Sequence, residues 1–304
     1  MKIAIIACAV VALAVLVFWL AKRGENQPLV EIGDAGESGE DRDIRQLVEP
    51  LSKPTILIKT REGESASYFG GIPPKVSGFQ WPHRDSRPMG FLACINLADL
   101  PRALDWLPET GRLLFFYDLE EQPWGFDPKD RGGWEVFYSE VQPSPDDTKA
   151  EVPPGLKAEF ILKTRGMDFE ASKLPPSWEE DVLSPLNLTD TEQDELIDYR
   201  SSLYGEGASH QIGGYPDPIQ SPEMVLECQL VSNGLYCGDS SGYQDPRAEE
   251  LKDGVEDWRL LLQMDSDDDL DVMWGDVGTV YFWIREDDAK QKDFSKAWLV
   301  LQCH

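Results

Sequence analysis

The residues with the clearest potential for chemistry surround a Gly-Gly pair in the second half of the chain. His210 and Gln211 precede Gly213 and Gly214, and Gln220 follows after two prolines. Glycine adopts positive φ and lets a ligand approach the backbone, while proline stiffens the turn. This pattern predicts a binding loop in which these five residues contact a ligand. The alternative is a structural turn whose His and Gln side chains satisfy buried carbonyl groups.

A run of alternating acidic residues resembles the start of a calcium-binding loop. Its members are Asp265, Asp267, Asp269 and Asp271. Leu270 stands where a helix-loop-helix calcium site needs glycine, and Asp276 stands where such a site has a bidentate glutamate. That type of site is therefore not expected. A looser carboxylate site for calcium or magnesium stays open beside the simpler interpretation, a solvated acidic turn, and no other cofactor is expected.

Residues 238–242 match the G-x-S-x-G pattern of serine hydrolases, with Ser240 as nucleophile. His210 and Asp276 are the residues that could complete such an active site. Pro246 lies too close for a long helix to follow the serine directly, so no catalytic residues are assigned in the preferred interpretation. A hydrolase, or another enzyme that binds a small ligand around His210 and Asp276, is the alternative function.

Two tryptophans and one glutamine complete the predicted ligand-binding set. Trp274 stands next to Gly275 and Asp276, and Trp81 precedes a proline, so both rings could stack on a ligand or seal the core. Gln263 lies in an apolar run and offers an amide. The predicted site thus includes Gln263, Trp274, Asp276 and Trp81 besides the residues of the glycine loop.

The composition restricts the class of partner. The 304 residues include 28 basic and 56 acidic side chains, which gives a formal charge of −28. Such a surface repels phosphates and anionic lipid headgroups, so nucleic-acid binding is excluded and no polybasic membrane contact is expected. A hydrophobic content of 41% with ten tryptophans indicates a folded body. A basic protein is the partner that this charge favours.

The order of motifs repeats along the chain. Gly70-Gly71, an apolar run at 91–96 and Gly111 return as Gly213-Gly214, a run at 261–266 and Gly278. The repetition predicts two pseudo-equivalent halves, at about 55–165 and 206–304. The glycine pairs lie 143 residues apart, whereas Asp99 and Asp269, which follow the two apolar runs, lie 170 apart. The second copy therefore carries about 27 extra residues between its Gly-Gly pair and its apolar run.

The N-terminal part predicts a single-pass membrane protein. Residues 3–21 are uncharged and long enough to span the hydrocarbon core as a helix, and this helix is the only expected membrane contact. A cleaved export signal is the alternative. Residues 24–43 read as an acidic flexible linker to a body at 44–304, which we expect on the cytoplasmic side. The body cysteines are expected to be free thiols, and a disulfide between Cys228 and Cys237 stays open.

Strand patterns outnumber helix patterns, which predicts an α+β fold with a mostly antiparallel sheet and few helices. A capping box formed by Thr189 and Glu192 predicts a helix over 192–204, and Pro246 begins a short one. Asn233-Gly234 is typical of a hairpin turn. The predicted strands are 55–60, 113–117, 134–138, 156–163, 224–231, 235–237, 258–264, 279–284 and 297–303.

Several motifs together resemble the YwqG-like family, a bacterial domain of unknown function. They are the two Gly-Gly-x-Pro turns, Trp81-Pro82, residues 91–97, residues 107–116, His210, residues 219–220, residues 261–266 and residues 274–278. The family resemblance implies an α+β fold with internal duplication and no established reaction. Together with the charge, it favours a membrane-tethered binding module that binds or inhibits a basic protein partner.

Overall fold

A computed structural model of the protein describes residues 42–144 and 147–304. The predicted membrane anchor at 3–21 and nearly all of the predicted linker lie outside these residues. Within the two described ranges, no helix combines the length and the apolar character needed to cross a membrane. The folded body includes Arg42, which forms an ion pair with Glu192 at 2.6 Å, and Asp43, which caps the first helix.

Twelve strands dominate the described fold, and they agree with the predicted antiparallel sheet. In chain order they are β1 Lys53–Arg61, β2 Tyr68–Phe69, β3 His83–Arg84, β4 Arg87–Pro88, β5 Gly90–Asn96, β6 Arg112–Tyr117, β7 Trp134–Ser139, β8 Arg165–Leu174, β9 His210–Gly213, β10 Trp258–Asp265, β11 Thr279–Arg285 and β12 Trp298–Gln302. Ten of them form one sheet in the order β12-β11-β10-β9-β1-β8-β2-β5-β6-β7, while β3 and β4 form a separate hairpin. The ten-stranded sheet curves into a near-closed barrel.

The sheet order divides the strands into two sets that correspond one to one. The first set in chain order is β1, β2, β5, β6 and β7, and the second is β8 to β12. The first strand of each set pairs with the second strand of the other set, because β1 pairs with β9 and β8 pairs with β2. The two sets meet in the antiparallel pairing of β1 with β8.

The two Gly-Gly turns lie at the ends of β2 and β9 and have the same backbone conformation. Gly70 and Gly71 have φ of +66° and +68°, and Gly213 and Gly214 have +71° and +70°. A Cβ on Gly71 would collide with the hydroxyl of Thr164, and one on Gly214 with that of Thr55. The two corners are therefore built alike, each against the start of a strand from the other set.

The strands that follow the glycine turns also match in detail. A bulge interrupts the pairing of β5 with β6 between Phe91 and Ala93, and another interrupts that of β10 with β11 between Leu260 and Leu262. These bulges align Ala93 with Leu262. Matching the apolar runs 91–96 and 261–266 residue by residue pairs Ala93 with Gln263. That pairing is wrong by one residue, because motif spacing does not reveal where a bulge lies.

Aromatic side chains fill the barrel and bring its two edge strands together. Phe115 of β6 and Phe282 of β11 meet inside with ring centroids 5.2 Å apart. At the edges, the Trp134 ring of β7 and the Trp298 ring of β12 meet at 5.0 Å, and the Trp134 indole donates to the carbonyl of Ala297 at 2.9 Å. Side chains thus close the gap that backbone pairing leaves open.

Six α-helices in the described ranges lie outside the sheet, and all but one of them are short. They are α1 Ile44–Val48, α2 Asp190–Tyr204, α3 Met224–Ser232, α4 Ser241–Gln244, α5 Pro246–Leu251 and α6 Glu286–Lys290. The predicted capping box is confirmed: the Glu192 amide donates to Thr189 Oγ1 at 3.3 Å, and the Thr189 amide donates to Glu192 Oε2 at 2.8 Å. Seven 3₁₀ turns complete the described elements: Glu49–Leu51, Leu97–Asp99, Pro128–Asp130, Ala158–Phe160, Asp181–Leu186, Lys252–Asp257 and Phe294–Lys296.

Three predictions about local elements were wrong. The segment predicted as a strand at 224–231 is helix α3, because a short run apolar on every side fits a buried helix as well as a strand. Asn233 therefore ends a helix instead of turning a hairpin, so the expected strand at 235–237 is absent. The strand predicted at 156–163 lies later, at Arg165–Leu174, and this strand opens the second set.

Candidate ligand-binding cleft

A cleft of about 650 Å³ opens beside the second Gly-Gly turn. Gly213 and Gly214 form part of its wall, together with the first residues of β1 and β10. The remaining wall comes from the turn after β5, from Glu180 between β8 and α2, from the end of β11, from the start of α6 and from the segment between β9 and β10. Concave sites lined by aromatic side chains and a few polar groups are typical of ligand binding.

The extra residues of the second copy build one side of the cleft. Pro222, Val225, Val255 and Glu256 all line it, and all lie between the Gly-Gly pair and β10. At the first Gly-Gly corner, the loop after β10 packs closely instead. The Lys163 amide donates to the carbonyl of Leu270 at 3.1 Å there. The two Gly-Gly corners therefore share a backbone conformation, but a loop packs on the first and a cleft lies beside the second.

Four aromatic residues contribute to the cleft wall. Trp106, Trp258, Trp283 and Tyr215 line it, and each is buried over most of its surface. The Trp258 indole donates to Gln229 Oε1 at 2.9 Å, which fixes the plane of this ring. The Trp283 indole nitrogen, in contrast, has no hydrogen-bond partner among the described residues.

Lys53 and Glu180 place opposite charges against these rings. The Lys53 ammonium lies 3.9 Å from the centre of the Tyr215 ring. Although Lys53 as a residue is exposed, desolvation of the ammonium in the cleft lowers its pKa, and the charge of Glu180 opposes this shift. Burial raises the pKa of Glu180, which the charge of Lys53 partly offsets. The cleft thus already holds a cation on an aromatic face near a carboxylate.

Acidic side chains outnumber basic ones in the cleft lining. Arg259 forms an ion pair with Glu286 at 2.6 Å, so these two charges neutralise each other. Asp105 and Glu256 are exposed carboxylates on the rim. With Lys53 set against Glu180, these two remain in excess, so the cleft carries a net negative charge.

His210 is buried and does not belong to the cleft wall. Its side chain is 1% exposed. Its Nδ1 accepts from the Asp265 amide at 3.0 Å, and its Nε2 lies 3.1 Å from Asp267 Oδ2. Ser67 makes the corresponding contacts in the first set, since its hydroxyl accepts from the Asn96 amide at 2.9 Å and donates to Asp99. The contacts of His210 therefore have a structural explanation: they tie two strand ends together.

The three predicted glutamines also bond to the backbone. Gln211 donates to the carbonyls of Gly213 and Tyr215 at 2.8 and 2.9 Å, which holds the turn that borders the cleft. Gln263 donates to Ser209 at 2.7 Å and accepts from the Asp217 amide at 2.9 Å. Gln220 donates to Cys303 at 2.8 Å. These side-chain amides hold the backbone of the second Gly-Gly turn and of the segments next to it.

The four alternating aspartates have separate partners. Asp265 accepts from Thr279 and from the Ser209 amide, and Asp267 contacts His210. Asp269 and Asp271 face basic side chains near the first Gly-Gly corner, Arg165 at 3.7 Å and Lys163 at 3.4 Å respectively. Within residues 42–144 and 147–304, no group of three or more His, Cys, Asp or Glu side chains could hold a metal ion.

The remaining predicted residues are dispersed. Ser240 is the residue directly before the short helix α4, and Asp276 is exposed on the loop after β10. No hydrogen bond in the described part of the chain joins Ser240, His210 and Asp276 to one another. Trp274 is fully buried, and Trp81 is half-buried with its indole donating to Met89 at 2.8 Å. The four described cysteines are buried, and no disulfide joins any two of them.

No sequence motif indicated that most of the residues lining the cleft belong to a site. Of the predicted site, Gly213 and Gly214 lie in its wall. Lys53, Trp106, Glu180 and Trp258 come from four distant segments, and none belongs to a motif. The one available indication was the length of the second copy, whose extra residues supply part of the wall.

The glycine corners, the strand sets and the barrel define an α+β domain with a cleft on one side. A scan against protein families matches residues 67–303 to a family described as a domain of unknown function, DUF1963, and the chain belongs to this family. This agrees with the domain of unknown function that the motifs implied, while the narrower YwqG-like assignment stays a prediction. No curated protein matches the chain significantly.

Proposed function

We propose that the protein is a binding module whose cleft takes a cationic segment of a basic protein partner. The observation that carries this proposal is the lining of the cleft, in which tryptophan side chains adjoin more carboxylates than cations. Aromatic faces attract ammonium and guanidinium groups, and nearby carboxylates add to that attraction. The formal charge of −28 brings a basic partner toward the surface before it docks.

The contact of Lys53 with Tyr215 supports this choice of ligand. An ammonium group 3.9 Å from a ring centre is the arrangement that a partner's lysine would adopt on a neighbouring tryptophan. Trp106 and Trp258 line the same cleft, and Glu256 is exposed at its edge. A bound cation would therefore use the geometry that the protein already uses internally.

Fluorescence polarisation with a labelled peptide tests the proposal. The full chain is titrated with Ac-Gly-Arg-Gly-Lys-Gly-NH₂ and with a neutral peptide in which citrulline and acetyl-lysine replace the two bases. We expect binding of the basic peptide alone, weakening as salt rises from 50 to 500 mM because the attraction is partly screened. The double variant Glu180→Gln, Glu256→Gln should bind about tenfold more weakly, which corresponds to about 1.4 kcal/mol.

Glu250→Gln is the matched control, since it removes one exposed carboxylate that lies outside the cleft. It should leave the affinity within about twofold of the wild-type value. The single variants Glu180→Gln and Glu256→Gln are measured beside this control. If Glu250→Gln weakens binding as much as each of them, the attraction is diffuse over the acidic surface, which would contradict the proposal. Equal binding of the neutral peptide would contradict it as well.

We also propose that residues 3–21 anchor the module in a membrane with its body in the cytoplasm, as a member of the YwqG-like group. The apolar sequence supports the anchor. Protease accessibility in intact and opened cells tests the side: a body cleaved in intact cells would contradict the cytoplasmic placement. The matching strand sets and glycine corners support an origin by duplication of a five-stranded unit.

The alternative function as a hydrolase has less support, because Ser240 and His210 bond to different parts of the fold. Labelling with a serine-directed fluorophosphonate that is lost in Ser240→Ala would favour the hydrolase. A calcium-responsive role would require binding heat in a calcium titration of the full chain.

A further inference from the structure

A second cleft, of about 680 Å³, lies on the other side of Trp258. Its lining includes two arginines and one lysine, Arg131, Arg285 and Lys296. Lys296 is neutralised by Asp288 at 2.7 Å and by Asp293 at 3.2 Å. The two arginines differ from it, because neither forms an ion pair with a described carboxylate.

Unpaired arginines are uncommon among the residues that the structure describes. Ten of the thirteen arginines in the described ranges form an ion pair with a carboxylate, and the exceptions are Arg45, Arg131 and Arg285. Two of these three line the same cleft. With 56 acidic residues in the chain, two guanidinium groups left unpaired in one concavity require an explanation.

Both arginines are held in place by groups that leave most of their donors unused. Arg285 lies 5.2 Å from the Trp258 ring centre, and its Nη2 donates to Gln229 Oε1 at 2.8 Å. Gln229 is itself buried and also accepts from the Trp258 indole at 2.9 Å. Each guanidinium has five N–H groups, so Arg285 retains four without a described partner.

Arg131 is arranged similarly on another ring. It lies 5.6 Å from the Trp298 ring centre, and its Nη2 donates to the Ser295 carbonyl at 3.2 Å. A guanidinium stacked on an indole keeps its edge available for a planar anion. The two arginines together therefore present ordered donors to the interior of one cleft.

We propose that this second cleft binds a carboxylate, with Arg285 and Arg131 as its donors. A carboxylate matches the guanidinium fork with two parallel hydrogen bonds and carries a single charge. Asp257, Asp287 and Asp288 also line the cleft, and they would repel a doubly charged phosphate more strongly than a carboxylate. The site is separate from the acidic cleft that the proposed function uses, although Trp258 borders both.

NMR titration of the full chain labelled with ¹⁵N-arginine tests this site through the Nε–Hε signals. The probes are Ac-Gly-Glu-Gly-NH₂, which carries a side-chain carboxylate, Ac-Gly-Gly-Gly-OH, which carries a terminal one, and inorganic phosphate. Ac-Gly-Gln-Gly-NH₂ is the neutral control. We expect at least one carboxylate peptide to shift the Arg131 and Arg285 signals in a saturable manner, and the stronger of the two identifies the source of the carboxylate.

Arg45 is the matched internal control, because it also lacks a described ion pair and lies 5.1 Å from a ring centre, that of Tyr199. Its signal should stay unchanged. Arg285→Gln should weaken binding at least tenfold, and Arg285→Lys, which keeps the charge and loses the fork, should weaken it several-fold. Thermal unfolding of both variants checks that they fold.

Four outcomes would overturn the proposal. They are equal shifts at Arg45, equal shifts with the glutamine peptide, a larger effect of phosphate than of either carboxylate, and the absence of shifts at Arg131 and Arg285. Loss of cation binding in the acidic cleft would leave this site unaffected, because the probes here carry no base.

Discussion

Replacing Glu227 by glutamine should remove much of the pH dependence of this protein's stability. Glu227 lies on α3 and is 3% exposed. Its Oε1 accepts from the Tyr243 hydroxyl at 3.2 Å, and its Oε2 has no partner among the described residues. Burial, with a smaller contribution from the charge of Glu223, raises the pKa of Glu227 to about 8. The folded protein therefore keeps this carboxyl protonated at neutral pH.

The sign of the effect follows from proton linkage. The ordinary pKa of a glutamate is 4.5, so between this value and about pH 8 the folded state binds a proton that the unfolded state has lost. The free energy of unfolding then falls as pH rises through this window and levels off above it. A pKa difference of this size corresponds to on the order of 5 kcal/mol over the whole window.

Glutamine has the shape of the protonated acid and does not titrate. Glu227→Gln should therefore be similar in stability to the wild type near pH 4.5 and more stable by several kcal/mol at pH 8. Urea unfolding at pH 5, 6.5 and 8, with both proteins compared at each pH, measures the difference. Glu250→Gln, on an exposed position of α5, should follow the wild-type pH dependence.

A Glu227→Gln variant whose unfolding free energy falls with pH as steeply as that of the wild type would refute this reasoning. Since Val225 of the same helix lines the acidic cleft, the result also bears on function. We expect helix α3, and with it this part of the cleft wall, to open less often at high pH in the variant than in the wild type. Hydrogen exchange of α3 amides at pH 8 measures this property, and faster exchange in the variant would contradict it.

Three further predictions concern the fold. Gly214→Ala should lower the unfolding free energy by about 2–4 kcal/mol in urea unfolding, because the residue has φ of +70° and its new Cβ would meet Thr55. Gly234→Ala is the control: this residue has φ of +88° but open space around it, so the substitution should cost about 1–2 kcal/mol. Equal costs for the two variants would contradict the packing argument. Phe282→Ala should cost about 3–5 kcal/mol by the same assay, since the ring is fully buried, and a cost below about 1 kcal/mol would argue against a filled barrel. Arg42→Gln should raise the pKa of Glu192 from about 2 toward its ordinary range in a ¹³C NMR titration, and an unchanged pKa would show that the capping box alone lowers it.

The sequence alone determined the features that depend on neighbouring residues. The capping box at Thr189 and Glu192 works within one helical turn, so its motif sufficed. Strands β10 and β11 were predicted within one residue at each end because their apolar runs are bounded by turns. The Gly-Gly pairs likewise required positive φ at both corners.

The features that depend on distant residues came only from the tertiary structure. The pairing of β1 with β9 and of β8 with β2 joins strands from different sets, and motif order does not encode which copy a strand joins. Helix α3 illustrates the same limit, because its apolar run satisfied both a helix and a strand pattern until packing against the core decided.

The cleft is the clearest case of a property that folding alone creates. Lys53, Trp106, Glu180 and Trp258 are separated by more than two hundred residues of chain, yet they line one concavity. Chain composition set the excess of negative charge, which depends on residue counts. The positions at which carboxylates and aromatic side chains meet depend on strand register and on the pairing of β1 with β9 and of β8 with β2. Packing across the whole barrel determines both.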